Sequence, residues 1–409
     1  MRILFVSQLY TPEPRPPKGV VFAKALQARG HEIEILTGFP NYPDGKVYPG
    51  YKQKLWQRET IDGVRITRVP LFPSHDRSGS KRAITYLSFA FWASLLGPCL
   101  MKRPDVIYMY QGPATNGIPA NVLRLRFGAP YIMDIQDLWP DTISASGMSK
   151  GGRVVRVVAK YMKWLYRKAG RIMVLSHGFK RTLIERGVPP DKVHVIYNWA
   201  PPTSLVQAEP DLELARAHGI EGTFNIMFAG NMGTVQALDK VVEAAAMTEK
   251  ELPDVRFVFI GSGSERDKLE QLVQTKNLSN VVLLPRVPVD AMPRILALAS
   301  AMLVHLRDEF PFDVTIPSKT QEALGIGKPV LMAVRGEASE LVQQADAGVI
   351  AEPLNPRSIA DAARYLRAMS TEDLQAMGMR GKAFYESNMS FDIVVDQIEA
   401  MLKEAVGGK

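Results

Sequence analysis

Short apolar runs alternate with amphipathic stretches along the whole chain. Residues 3–6 form an apolar strand-like run, residues 19–29 have helical spacing, and residues 32–36 alternate as a second strand. Further apolar runs at 105–110, 130–134 and 171–175 are each followed by loop residues and a helical pattern. After Ala200-Pro201-Pro202 the rhythm resumes. Residues 225–228 run into Gly230-Asn231 and 238–247 read as helix; 256–260 end in Gly261-Ser262-Gly263 and 265–274 read as helix. Val281–Leu284, Ala301–His305 and 329–333 are later strands. Such alternation predicts an α/β fold of two Rossmann-like, doubly wound domains, with ligands at the C-terminal strand ends and in the inter-domain cleft. The expected divisions are an N-terminal domain at 1–200, a C-terminal domain at 201–384, and a last amphipathic helix at 385–409 packing back towards the N-terminal domain. No short-period repeat or low-complexity tract interrupts them.

The most informative stretch is 316–330, IPSKTQEALGIGKPV. Proline loses nothing in a first helical turn and serine can cap free N–H groups, so Pro317-Ser318 reads as a helix start. Lys319 adds a cation where exposed amides and the helix dipole already favour an anion. Glu322 follows about one turn later, where a carboxylate could accept two hydrogen bonds from a ribose diol. Gly325 and Gly327 stop the helix before a buried strand. The pattern fits a nucleotide diphosphate site; the plain alternative is a capped surface helix. Gly261-Ser262-Gly263 resembles half of a dinucleotide fingerprint, but Arg266 replaces the third glycine, and a tight strand-to-helix turn is the preferred reading.

Composition changes the picture in two places. The 409 residues, 46% hydrophobic and 22% charged, suit a soluble two-domain protein, and the chain enters a strand from Arg2, so no secretory leader is expected. A single cysteine, Cys99, excludes an internal disulfide and a cysteine-rich metal site, fits a reducing cytoplasm and is expected to pack. The net charge of +8 hides an asymmetry: residues 1–200 carry 30 Lys+Arg against 13 Asp+Glu, and residues 201–409 carry 20 against 29. An N-terminal half of that sign points to an anionic partner.

Two segments could meet a membrane. Residues 84–101 are apolar and flanked by Lys81-Arg82 and Lys102-Arg103, but Gly97-Pro98 interrupts them, so a core helix or a membrane-dipping helix fits better than a span. In residues 153–171, Arg153, Arg156, Lys160, Lys163, Arg167 and Arg171 recur on one helical face with no acidic residue among them. We expect this face to rest on anionic lipid headgroups. Nucleic acid is not expected, because no aromatic platform or recognition motif accompanies the charge.

Other catalytic patterns are missing from the sequence: no Walker A loop, HExxH, G-x-S-x-G elbow or Asp-x-Asp occurs, and the six histidines are scattered. His31 stands in a helix-to-strand turn, where capping is the expected role. Asp137, beyond the strand at 130–134, could orient an acceptor hydroxyl or cap the turn before Trp139-Pro140.

Taken together, ARGHEIEILTGFPNYPDG at 28–45, DIQDLWPDT at 134–142, VLSHGFKRTLIERGVPPDKVHVIYN at 174–198, FAGNMGTVQAL at 228–238, FIGSGSERDKLE at 259–270 and the 316–330 stretch resemble the retaining glycosyltransferases of family 4, which have the GT-B fold. The TGFPNYPDG and DLWPD segments look like the bacterial branch that adds N-acetylated amino sugars in O-antigen or capsule assembly. The resemblance implies that backbone amides near Gly19, together with Ser318 and Lys319, meet the diphosphate. It places Glu322 on the ribose, Gly230 and Asn231 near the phosphates, and Arg286 and Val287 at the base, with Thr315 lining the same donor site. It implies no metal and no cofactor beyond the UDP-sugar substrate. Two departures stand out: Val314 occupies the first position of the family's E-x7-E motif, so Glu309, Asp313 or main-chain groups would hold the sugar, and the usual cations after the first C-domain strand are replaced around Asn231, Met232 and Gln236.

The expected function is transfer of an N-acetylated amino sugar from a UDP-sugar to a lipid-diphosphate-linked saccharide, by a peripheral protein on the inner face of a bacterial plasma membrane. The alternatives are a UDP-N-acetylglucosamine 2-epimerase-like enzyme and a catalytically silent sugar-nucleotide-binding protein.

Overall fold

The computed structural model describes residues 1–13, 18–74, 79–145 and 152–407; residues 14–17 of the proline-rich loop ahead of Gly19 lie outside this set. Internal contacts divide the chain into two units, Met1–Tyr197 with Val395–Lys409, and Asn198–Val394.

The first unit is built on β1 (Arg2–Val6), β2 (Glu32–Gly38), β3 (Gln57–Ile61), β4 (Val64–Val69), β5 (Val106–Gln111), β6 (Tyr131–Ile135), β7 (Arg171–Val174) and β8 (Val193–Val195). They form one sheet in the order β3-β4-β2-β1-β5-β6-β7-β8. Every pairing is parallel except β3 with β4. That hairpin was not expected from the apolar pattern, because β3 is polar and half exposed; its Asp62-Gly63 turn, with φ of 50° and 81°, is the local signal that marks it. The central strands β1, β5 and β6 are buried nearly end to end, as strands covered on both faces must be.

Six helices connect these strands: α1 (Val20–Ala28), α2 (Gly79–Leu100), α3 (Gly117–Phe127), α4 (Asp141–Ala145), α5 (Gly152–Lys168) and α6 (His177–Glu185). Right-handed crossovers put α2, α3 and α5 in one layer. A Cβ on Gly97 of α2 would stand 3.3 Å from Leu123 of α3, and the Tyr161 hydroxyl of α5 donates to the Ala114 carbonyl just ahead of α3.

The second unit holds β9 (Phe224–Ala229), β10 (Val255–Ile260), β11 (Val281–Leu284), β12 (Ala301–His305), β13 (Val330–Ala333) and β14 (Gly348–Ile350). Their order is β11-β10-β9-β12-β13-β14, all parallel. Counted within the unit this is 3-2-1-4-5-6, the doubly wound order, and its topological switch point lies between β9 and β12. The helices are α7 (Leu212–Ala217), α8 (Leu238–Thr248), α9 (Arg266–Thr275), α10 (Met292–Leu296), α11 (Ser318–Gly325), α12 (Glu337–Gln344), α13 (Pro356–Ala368) and α14 (Thr371–Asn388). Phe228, Phe257, Phe259, Leu303 and Leu331 form the buried centre beneath α8 and α13.

The helix expected from about residue 384 is in fact two. Helix α14 runs on to Asn388, and α15 (Phe391–Gly407) starts after Met389-Ser390. From Val395 onwards α15 belongs to the first unit, tied to the α1–β2 turn by Arg29 to Asp396 at 2.5 Å and His31 Nε2 to Glu399 at 2.8 Å. His31 is thus a buried tether rather than a cap.

Candidate active site

The doubly wound order directs attention to the loops after β9 and β12. Gly230, the residue after β9, has φ of 145°. A Cβ there would stand 2.8 Å from Cε and 2.9 Å from Nζ of Lys319, so glycine is what lets that ammonium approach the strand end. The same Nζ lies 4.8 Å from the centroid of the Phe228 ring, over its electron-rich face. Two residues singled out 89 positions apart in the sequence are therefore brought together at the switch point.

The neighbouring loops are locked to Gly230 by backbone contacts. Gly261, with φ of 141°, packs so close that a Cβ would fall 2.0 Å from the Gly230 carbonyl oxygen. Met232 N–H donates to Ser262 O at 2.8 Å and Glu265 N–H to Met232 O at 3.0 Å. Arg266 donates to the Gly261 and Leu284 carbonyls at 2.8 and 2.7 Å and pairs with Glu270. Its guanidinium is spent on strand-end carbonyls, which accounts for the missing third glycine and bears out the tight-turn reading.

On the other side, Arg307 N–H donates to Val235 O at 2.9 Å and its Nε to Thr234 O at 2.8 Å. His305 is buried, which lowers its pKa, and the neutral ring fits its two partners: Nδ1–H donates to Gln236 O at 2.7 Å and Nε2 accepts from Leu354 N–H at 3.2 Å. Arg307 and His305 were not singled out in the sequence. Their signal is positional: both stand at the end of β12, the strand beside the switch point.

Helix α11 begins as expected, with one difference. The N-cap is Pro317, and Ser318 is the first helical residue, so the serine is not the cap. Glu322 stands half-buried about one turn beyond Lys319. Thr315 uses its hydroxyl to donate to Pro311 O at 2.7 Å, bracing the loop that enters the helix. Of the two acids considered for the missing motif glutamate, Glu309 is exposed, whereas Asp313 has a buried Oδ1 without a hydrogen-bond partner. Asn231 is exposed beside Gly230, while exposed Arg286 and half-buried Val287 follow the edge strand β11, two strands from β9. A cavity of about 580 Å³ in this unit lies away from all of these; Lys328 in its wall donates to the Ala297 and Ala299 carbonyls.

In the first unit Gly19 is buried and caps α1, its carbonyl accepting from Ala23 N–H at 3.2 Å. Beside it Lys18 is fully buried, and burial lowers its pKa to about 8 against the opposing pull of Asp134. Asp134, also buried, accepts from the Tyr108 hydroxyl and Gln136 Nε2, both at 2.5 Å; burial pushes its carboxyl up. Glu13 accepts three backbone N–H groups, from Tyr10, Asn41 and Tyr42 at 3.0, 2.8 and 2.9 Å. Arg68, with no exposed surface, donates to Glu59, Gly38 O and Thr11 O. These four charged residues hold the loops after β1 and β2, and none stood out in the sequence.

Asp137 lies two residues past β6, accepting at its carbonyl from Gln111 Nε2 at 3.2 Å. Its side chain keeps solvent-facing surface, yet the crowded recess around it pushes the carboxyl up to about 6. The bracing at this turn falls to Asp141, which pairs with Arg186 at 2.5 Å while Arg186 donates to Trp139 O at 3.1 Å. If the Asp137 carboxylate orients an acceptor hydroxyl, transfer should rise as pH climbs through about 6, where this group loses its proton. Asp137→Asn should be slower and flat over that range. A wild-type profile without this limb would remove Asp137 from the reaction.

Of the basic stretch, Arg153, Arg156, Lys160, Lys163 and Arg167 are exposed on α5, but the helix ends at Lys168 and Arg171 falls on β7. Cys99 is exposed on α2 rather than packed. Among the described residues no group of three His, Cys, Asp or Glu side chains is placed to hold a metal ion.

Residues 21–199 match the family described as glycosyl transferase 4-like domain, and residues 212–384 match glycosyl transferases group 1. The chain is a GT-B glycosyltransferase. It is 27% identical over 312 residues to the colanic acid biosynthesis glycosyl transferase WcaI of Escherichia coli K12, covering 74% of this chain and 75% of that protein. It is 23% identical over 386 residues to the N-acetyl-alpha-D-glucosaminyl L-malate synthase of Bacillus anthracis, covering 94% and 92%. Among solved structures, Anabaena Alr3699/HepE in complex with UDP-glucose superposes with a TM-score of 0.71 at 15% identity, over 99% of this chain and all of that one, a likeness of fold.

Proposed function

We propose that this glycosyltransferase moves an N-acetylated amino sugar, with retention, from a UDP-sugar to a lipid-diphosphate-linked saccharide during surface polysaccharide assembly of the O-antigen or capsule type. The observation that carries the reading is the Lys319 ammonium seated against Gly230 at the switch point, with Glu322 one turn further along α11. That arrangement suits a leaving nucleoside diphosphate, whose negative charge grows as the bond from sugar carbon to phosphate oxygen breaks. The acceptor oxygen attacks the same face and its proton passes to the departing phosphate, so no protein base is required. The names of the relatives support the class: one is named for colanic acid biosynthesis, one for an N-acetylglucosaminyl product, and HepE was solved in complex with UDP-glucose.

In this reading Ser318, Thr315, Asn231 and the amides near Gly19 serve the donor phosphates, and Arg286 and Val287 flank the base. The buried oxygen of Asp313 takes a sugar hydroxyl in place of the absent glutamate. The protein works on the cytoplasmic side of the plasma membrane, held there by the α5 cations.

Mass spectrometry of reactions with a panel of UDP-sugars and a lipid-linked acceptor tests the proposal. Transfer of the N-acetylated amino sugar, undiminished by EDTA, is the expected result. An epimer formed without acceptor would favour the epimerase reading, and binding with neither product would mean a silent protein.

A further inference from the structure

We infer that α2 is the membrane-inserting element of this protein, lying flat in the interface of an anionic bilayer with one apolar face below the headgroups. The inference deepens the membrane part of the proposed function. It is independent of the donor site.

Along α2, Ile84, Leu87, Phe91 and Leu95 are 50, 53, 60 and 55% exposed. Their spacings of three, four and four residues put them on one helical face. The opposite face is occupied: Thr85, Phe89, Ala90 and Ala93 are buried, and a Cβ on Gly97 would stand 3.1 Å from Leu36 of the sheet. By length and composition alone, 81–100 could cross a bilayer. A helix already fixed to the sheet along one side cannot do so, and it is left with a lipid-facing stripe parallel to the protein surface. Leu125 of α3, 68% exposed, belongs to the same layer. Large aliphatic and aromatic side chains aligned in this way are unusual on a protein surface that meets only water.

Charge selects the occupant. Lys81 stands at the start of the stripe, Lys102 and Arg103 just beyond its end, and Arg126 next to Leu125, all exposed. Helix α5, in the same layer, adds its five exposed cations with Val154 and Val157 between them, 48 and 66% exposed. An apolar face set among cations is complementary to acyl chains under anionic headgroups. A second copy of this chain would bring the same cations against themselves.

The test uses the full chain and vesicles of phosphatidylglycerol with phosphatidylethanolamine. Wild type should bind, and part of that binding should persist at about 0.5 M salt, where headgroup attraction is screened. Leu87→Glu with Phe91→Glu should lower the partition coefficient at least about tenfold at both salt levels. Lys160→Glu with Lys163→Glu should weaken binding mainly at low salt. Bromine-labelled acyl chains should quench Trp92, read as the difference from Trp92→Phe.

Saturable UDP binding and transfer to a water-soluble acceptor, both retained in the stripe variant, would show that it is folded. They also separate failure of this inference from failure of the donor site. Unchanged partition of the Leu87/Phe91 variant would overturn the inference. So would a wild-type dimer, indifferent to vesicles, that the same variant turns into a monomer, because the stripe would then belong to a second copy.

Discussion

Lys319→Ala should lower sugar transfer by about 10²–10³, the cost of removing one donor aimed at charge that develops in the transition state. The expectation rests on position. Lys319 lies at the first turn of α11, where the helix amides already favour an anion, and its ammonium reaches the end of β9 because Gly230 has no side chain to block it. The other cations near this loop do not substitute, because their donors are already committed. Arg266 is committed to the Gly261 and Leu284 carbonyls, and Arg307 has its Nε on Thr234 O. Lysine to arginine should not rescue, because a planar guanidinium needs more room than the gap at Gly230 offers. Lys319 is half-buried on a surface turn, so the melting temperature should move by only a few degrees, and calorimetry beside steady-state kinetics separates the two effects. Glu322→Ala provides the contrast, raising the donor KM more than it lowers kcat. Near-normal turnover of Lys319→Ala would place the leaving group elsewhere.

The largest effect on stability should come from Asp134→Ala. That change takes the acceptor from the Tyr108 hydroxyl and from Gln136 Nε2, and removes the charge that opposes the burial penalty on Lys18. Leaving a buried hydroxyl without its acceptor costs about 1–3 kcal/mol, and losing a charge that favours the buried ammonium adds to it. For a unit of this size the melting temperature should fall by roughly 5 °C. Lys18→Met with Asp134→Leu should recover only part of that loss, since it removes both charges but gives the Tyr108 hydroxyl no acceptor. UDP binding in the second unit should be unchanged in either variant, so two calorimetric transitions would be expected to part. Asp134→Ala with an unaltered first transition would mean that neither the Tyr108 hydroxyl nor Lys18 depends on this carboxylate.

Much of the fold was legible because parallel strands buried on both faces must be apolar throughout. Residues 281–284 and 301–305 were located to the residue, and most other strands within one. The polar β3, its alternating partner β4 and the short β8 and β14 escaped because no continuous apolar run marks them. Helix α2 shows the same limit in reverse. Its composition is apolar all round, and the sequence cannot say which face meets the sheet; packing buries Phe89 and Ala93 and leaves Phe91 and Leu95 outside.

The candidate site divides along similar lines. Lys319, Glu322, Gly230 and Gly19 were found from helix-end chemistry, glycine position and a recognisable set of motifs. Glu13, Lys18, Arg68 and Asp134 were not, because a buried charge has the same letter as an exposed one. Sequence alone determined the alternation of strands and helices, the two-unit plan and the sign of charge on each half. Tertiary structure decided which charges are buried, which glycines give way to a neighbour, and that Lys319 and Gly230 meet. Periodicity is a local property of the chain, whereas burial and close approach are set by segments far apart in sequence.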